Sequence, residues 1–249
     1  MDEIVITIIA LFLALLLGGL ILFFYAINRR RWPVFRELPG FEAVPSDVAA
    51  SVEAGARVHM ALGEGQIIGP GAEAELAGLT ALAKIARAAS VSDRPPVATS
   101  SDGVTALLAQ DVMYATYRQM RAEERFDHDL GRLAGLGPAG YTAGAMITPS
   151  ADRASATILI GAMGSEAALI ADTGAQRGSV IAAVTDPVGQ AAVFATTDNP
   201  LLGEELFAAG AYLKVHPMHA ASLQAQDVLR WGTIIVILAA VVASTLGII

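Results

Sequence analysis

The sequence predicts an α/β protein: a mixed or parallel sheet with helices on both faces, set between an N-terminal and a C-terminal transmembrane helix. Three observations carry this. Uncharged apolar runs occupy both ends of the 249 residues, short strand patterns alternate with helical stripes between them, and glycine-rich turns join the two kinds of pattern. The pivotal stretch is Thr157 to Asp172, TILIGAMGSEAALIAD, where a strand pattern runs through a Gly-x-x-Gly-Ser-Glu turn into a helix.

Residues 1–31 form the first expected segment. Ile4 to Ile27 carries no charge and as a helix reaches about 36 Å, enough to cross a hydrocarbon core of about 30 Å. Its acidic start, Met-Asp-Glu, and its length argue against a cleaved leader. At the other end, residues 220–249 read as a helical lead and a second span, Gly232 to Ile249, of about 27 Å. Arg29, Arg30, Arg31 and Arg36 follow the first span and Arg230 precedes the second. Positive charge marks the cytoplasmic side, so the expected topology has both termini outside and the middle cytoplasmic, as in a bacterial inner membrane. Trp32 and Trp231 stand where indoles anchor at the headgroup layer. Ala10, Ala14 and Gly18 on the first span, and Ala239, Ala243 and Gly247 on the second, recur every four residues, the spacing at which membrane helices approach closely. Neither span holds an Asp, Glu, Lys, Arg or His side chain, which argues against ion-coupled transport within them.

Residues 32–56 read as a juxtamembrane strap, broken by Pro33, Pro39, Gly40 and Pro45, with Val34, Phe35, Leu38 and Phe41 as membrane dips and Ser46 or Asp47 capping a short helix. The cytoplasmic α/β domain is expected over residues 57–219. Val58–Leu62 reads as a strand, Gly63 to Gly71 as a glycine-dense loop, and Glu73–Ala89 as a helix with a stripe of Leu76, Leu79, Leu82 and Ala86. Val97–Thr99 is a strand, after which Asp102 caps a helix whose tail runs through a charged stretch to Asp129. Gly135 to Gly144 reads as a break, Tyr141–Thr148 as a strand and Pro149–Arg153 as a turn. Ala156–Ile160 is the next strand, Glu166–Gln176 a helix capped by Ser165, and Ser179–Thr185 a strand. Asp186 to Gly189 resembles a hairpin turn into a further strand, Ala191–Thr196, with Asp198 capping a helix from Pro200 to Leu213.

The two halves of this domain resemble each other. Gly71–Leu76 followed by Val97–Asp102 parallels Gly164–Leu169 followed by Phe194–Asp198. A duplication would give two βαβα halves sharing one sheet.

Composition narrows the chemistry. With 24 acidic against 16 basic residues, several of the latter beside the membrane, the part exposed to water is strongly acidic, which disfavours nucleic acid. Absence of cysteine removes thiolate and Cys-metal chemistry. Gly161, Gly164 and Ser165, at a strand-to-helix turn, are candidate cofactor-binding positions, because such turns offer backbone N–H groups to an anion. Glu166 opposes a phosphate there, and the full dinucleotide or Walker patterns are not met. Asp102 and Asp198 are further candidates, read as matching turns at the carboxyl edge of the sheet, where α/β ligands bind. His216 and His219 are candidate metal ligands, though Pro217 distorts the helix that would align them and no third donor is evident. The four histidines fall in no recognisable triad setting.

The runs GSEAALIAD and, from Ala192 to Leu213, AVFATTDNPLLGEELFAAGAYL, followed by an apolar segment, resemble an uncharacterised bacterial family of membrane proteins known as a domain of unknown function. The resemblance implies membrane anchoring at the ends and transfers no catalytic residue. The expected function is therefore a non-enzymatic membrane scaffold without cofactor, whose domains associate into a homo-oligomer such as a ring. The alternative is a membrane-tethered ligand sensor or degenerate nucleotide-binding module.

Overall fold

The computed structural model describes residues 3–246, which divide into two compact units. One comprises residues up to Phe35 together with those from His216 onward, and the other Arg36–Val215.

In the terminal unit, α1 (Glu3–Asn28) and α9 (Pro217–Thr245) pack against each other. Both are long and apolar enough to cross a membrane. At 26 residues α1 extends about 39 Å, and α9 at 29 residues about 43 Å. Pro217 does not break the second span. It occupies the first helical turn, where its missing N–H costs nothing, and His216 caps the helix by accepting from the Met218 N–H at 3.3 Å. The Tyr25 ring stacks on His216 with centroids 5.8 Å apart, and Asn28 Nδ2 donates to Gln224 Oε1 at 2.8 Å. The half-buried face of α1 is Leu17, Leu20, Ile21, Phe24 and Tyr25. Ala10, Ala14 and Gly18 are exposed. On α9, Ala239 is exposed and Ala243 half-buried, and Gly247 lies outside the described residues. Arg29 places its guanidinium 5.8 Å from the Tyr25 ring centre, and Arg230 pairs with Asp227 at 3.6 Å. Arg30 and Arg31 are exposed, Trp32 is half-buried and Trp231 is largely exposed.

The Arg36–Val215 unit holds a six-stranded, wholly parallel sheet in the order β3-β2-β1-β4-β5-β6. The strands are β1 (Arg57–Gly63), β2 (Val97–Ser100), β3 (Gly131–Leu133), β4 (Ala154–Ala162), β5 (Ser179–Val184) and β6 (Asn199–Leu201). Around them lie α2 (Pro39–Glu53), α3 (Ala72–Ala89), α4 (Gly103–Gln119), α5 (Gly137–Ala151), α6 (Ala167–Ala175), α7 (Pro187–Thr196) and α8 (Ala209–Tyr212). Each half is a β-α-β-α-β run, β1 to β3 and β4 to β6, and the strand order reverses at the β1/β4 seam. Parallel strands buried on both faces read as continuous apolar runs, which explains β4 and β5. Ala61, Leu159, Val180, Ala182 and Val184 join Tyr141, Ala145, Ala167, Ile170 and Val193 in a core beneath α5, α6 and α7. The alternate residues Met60, Ile158, Ile160 and Ile181 point to the other face, where α2 and α3 pack.

Several expectations are corrected. The strap is a helix over Pro39–Glu53, with Pro39 in its first turn and Phe41, Val44 and Val48 buried. Leu38 and Phe41 therefore belong to the α/β core, which begins at Arg36. The predicted strand at Tyr141–Thr148 is part of α5. Tyr141, Thr142, Ala145 and Thr148 are its buried face, at helical spacing that Gly and Thr obscure. The predicted hairpin and third strand at 186–196 are α7, because Asp186 accepts from the Val188 and Gly189 N–H groups and Pro187 starts the turn. Asp198 caps no helix. It precedes β6, and the chain then forms a 3-10 stretch, Gly203–Ala208, before α8. The charged run after α4 is two 3-10 turns, Glu123–Arg125 and His128–Leu130, since Arg121 adopts φ 56° and ends the helix. The counterpart of Asp102 is consequently Asp186, each capping the helix that follows the second strand of its half.

Candidate functional site

In an open parallel sheet, the carboxyl ends of the two strands flanking the order reversal diverge, because their chains leave toward opposite faces. Here those strands are β1 and β4. Leu62 is an irregular extra residue in β1, shifting its register with both β2 and β4. It presses on Gly161 of β4 closely enough that a Cβ on Gly161 would overlap the Leu62 carbonyl oxygen. Gly63 then turns at φ 98°, a conformation costly for residues with a side chain. Its N–H donates to the Tyr141 hydroxyl at 3.0 Å, and its carbonyl accepts from the Ser101 N–H at 2.9 Å. Across the seam, the Glu64 N–H donates to the Ala162 carbonyl at 2.8 Å.

The loops that leave these strands enclose a crevice of about 400 Å³, whose lining includes Glu64, Gly65, Glu73, Gly164, Thr185 and Asp186. Its electrostatics are those of a carboxyl cluster. The Gly65 N–H donates to Glu75 Oε1 at 3.0 Å, and the Gly164 N–H donates to Glu166 Oε1 at 2.5 Å. Each half thus fills its glycine loop's N–H with its own glutamate, leaving that donor closed to a phosphate. Glu75 is fully buried. Burial pushes its pKa up to about 8, against the lowering effect of the Gly65 and Ala162 backbone bonds and with a further rise from Asp102. Glu64 is pushed up to about 7, first by burial and then by its side-chain hydrogen bond to Glu166 and that residue's charge. Both carboxyls therefore hold protons near neutrality. Glu64 Oε1 and Glu75 Oε2 are buried without a hydrogen-bond partner. Tyr141, also fully buried, has its pKa raised by burial.

The residues singled out from sequence fare differently. Gly164 lines the crevice, whereas Gly161 is a packing residue of the seam. Ser165 is exposed and does not cap α6, whose N-cap position is Glu166. Asp102 stands at the carboxyl end of β2, accepting from the Thr105 N–H at 2.9 Å. Asp198 lies at the opposite edge of the sheet, before β6, so the two aspartates are not brought together. His216 spends its Nδ1 as a helix cap, and among the described residues no three His, Asp or Glu side chains could hold a metal ion. Glu64, Glu75, Tyr141 and Asp186 went unrecognised as site residues. The signal for Glu75 was present: it stands four residues before Leu79 and seven before Leu82 on the buried stripe of α3, whereas the predicted stripe residue Leu76 is exposed.

Over residues 4–249 the chain matches the family model of a domain of unknown function, DUF6754. No curated protein and no solved structure matches it.

Proposed function

The chain belongs to the DUF6754 family, and we propose that it is a membrane-tethered ligand-binding module with its binding site in the crevice between β1 and β4. One observation carries this reading: the crevice lies outside the carboxyl ends of parallel strands at the point where strand order reverses, the place where open α/β sheets bind ligands. In this reading α1 and α9 cross the membrane, and the arginines at 29–31, 36 and 230 keep the α/β unit on the cytoplasmic side. Because the chain has no cysteine, a single Val91→Cys substitution at an exposed position reports this topology. A membrane-impermeant maleimide should label it only after cells are opened, and labelling of intact cells would contradict it. The ligand reading is tested by thermal-shift screening of the full chain in detergent against nucleotides, small anions and amines. A hit should lose its effect in Thr185→Trp, which fills the crevice, and hits indifferent to that substitution would count against it.

A second reading, the homo-oligomeric scaffold, is favoured by apolar exposure on the outer side of α5, α6 and α7. Ile147, Leu169 and Phe194 are each more than half exposed there, and such residues gathered on one layer suit self-association. Native mass spectrometry should then show an oligomer that Leu169→Asp with Phe194→Asp dissociates, whereas a monodisperse monomer would sink the scaffold.

A further inference from the structure

We propose that the crevice binds a small cationic ligand bearing a primary ammonium group, held by Glu64, Glu73 and Asp186 beside the buried carboxyl of Glu75. The proposal rests on the reading of the crevice as a ligand site and names the chemistry of what enters it.

Three independent features converge. First, the charged side chains of the lining are all acidic: Glu64, Glu73 and Asp186, with no Lys, Arg or His among them. An anion entering would meet like charge, and the two glycine N–H groups that would receive it are already taken by Glu75 and Glu166. Second, the buried polar atoms at the seam that lack a partner are carboxyl oxygens, which become free acceptors once those carboxyls ionise. Glu75, in the first turn of α3, sets its carboxyl against Gly161 and against Gly65, which lines the crevice, and its Oε2 has no hydrogen-bond partner. Glu64 Oε1 is in the same condition. Buried polar groups are ordinarily satisfied, and a missing donor beside a cavity marks what a ligand must bring. An ammonium brings three donors and the positive charge that the wall is built to receive. Third, the crevice has the volume of a small-molecule site.

The proton balance supports the assignment. Glu64 faces Glu166, Glu75 faces Asp102 and the N–H groups of Gly65 and Ala162, and Glu73 and Asp186 stand on the lining. An arriving ammonium favours the ionised carboxylates and so displaces the protons that burial retains on Glu64 and Glu75. Binding should therefore tighten as pH rises from 6 to 8.

Isothermal titration calorimetry of the full chain in detergent tests this, with 1,4-diaminobutane and spermidine as probes and ATP and NAD as the opposite class. The amines should bind saturably at 150 mM salt, more tightly at pH 8 than at pH 6. Glu64→Gln with Glu73→Gln should weaken them by about tenfold or more, while Glu123→Gln with Glu124→Gln, exposed positions elsewhere, should leave them unchanged. Thermal melting of each variant checks that it is folded, and Glu73→Gln alone, at an exposed position, supplies the same comparison should the pair fail to fold. Saturable nucleotide binding without amine binding would overturn the cationic assignment and leave the crevice a ligand site. Amine binding indifferent to the crevice variants would also overturn the assignment, and silence from all four probes would overturn both readings.

Discussion

Gly161 of β4 lies against Leu62 of β1 so closely that the Leu62 carbonyl oxygen occupies the space of any Cβ at position 161. The obstacle is backbone at the centre of the sheet, where no flexible side chain can move aside. Gly161→Ala should therefore destabilise the unit by about 1–3 kcal/mol or more. Gly103→Ala, at the start of α4 where a Cβ meets nothing within 4 Å, should be neutral or slightly stabilising. Urea unfolding of the two variants beside the wild type checks the contrast.

His59 is fully buried in β1, its Nε2 2.9 Å from Thr99 Oγ1 and its Nδ1 without a partner. Burial lowers its pKa to about 3, against the raising effect of Asp152 and with a smaller lowering by Arg132. The unfolded chain binds the proton near 6.5 and the folded one does not. The stability held by neutral His59 is complete above 6.5 and is lost as pH falls from there toward 3, at about 1.4 kcal/mol per pH unit. His59→Gln should start less stable at pH 7 and lose less on going to pH 5, so its deficit against the wild type narrows in urea midpoints.

Glu75 has the opposite sign. Its folded pKa is raised from 4.5 to about 8, so its contribution is complete below 4.5 and is lost as pH rises toward 8, at no more than about 1.4 kcal/mol per pH unit. Glutamine keeps an oxygen for the Gly65 N–H and carries no charge. Glu75→Gln should melt higher than the wild type at pH 8.5, with the gap closing by pH 5.

Asp102 and Asp198, paired in the sequence reading, should separate on mutation. Asp102→Ala removes the cap of α4 and should cost about 1 kcal/mol. Asp198→Ala, at an exposed position that caps nothing, should stay within about 0.5 kcal/mol of the wild type. Thermal melts of both variants decide this.

These contrasts show where the sequence was readable. β1, β2, β4 and β5 announce themselves as apolar runs, and α3, α4 and α6 as stripes or as helices opened by polar turns. The end helices are legible because nothing but a span or a core helix is so apolar over such a length. The α2 helix was hidden by Pro39 and Pro45, and α7 by Asp186-Pro187, whose turn chemistry serves a hairpin and a helix start equally. The three-residue strands β3 and β6 lie below the length at which alternation can be read. For the site, the Gly161–Gly164 turn was visible, but its meaning was not. Glu75 and Glu166 look alike as helix-start carboxylates, and only the strand order brings their two glycine loops to one seam.

Hydrogen–deuterium exchange of the full chain in detergent, with and without 1,4-diaminobutane, tests the central claim most directly. A ligand in the crevice should protect residues 63–71 and 161–166 together, because residues of both loops line it and Glu64 of one faces Glu166 of the other. Protection of neither loop, or of a surface elsewhere in Arg36–Val215 alone, would contradict it.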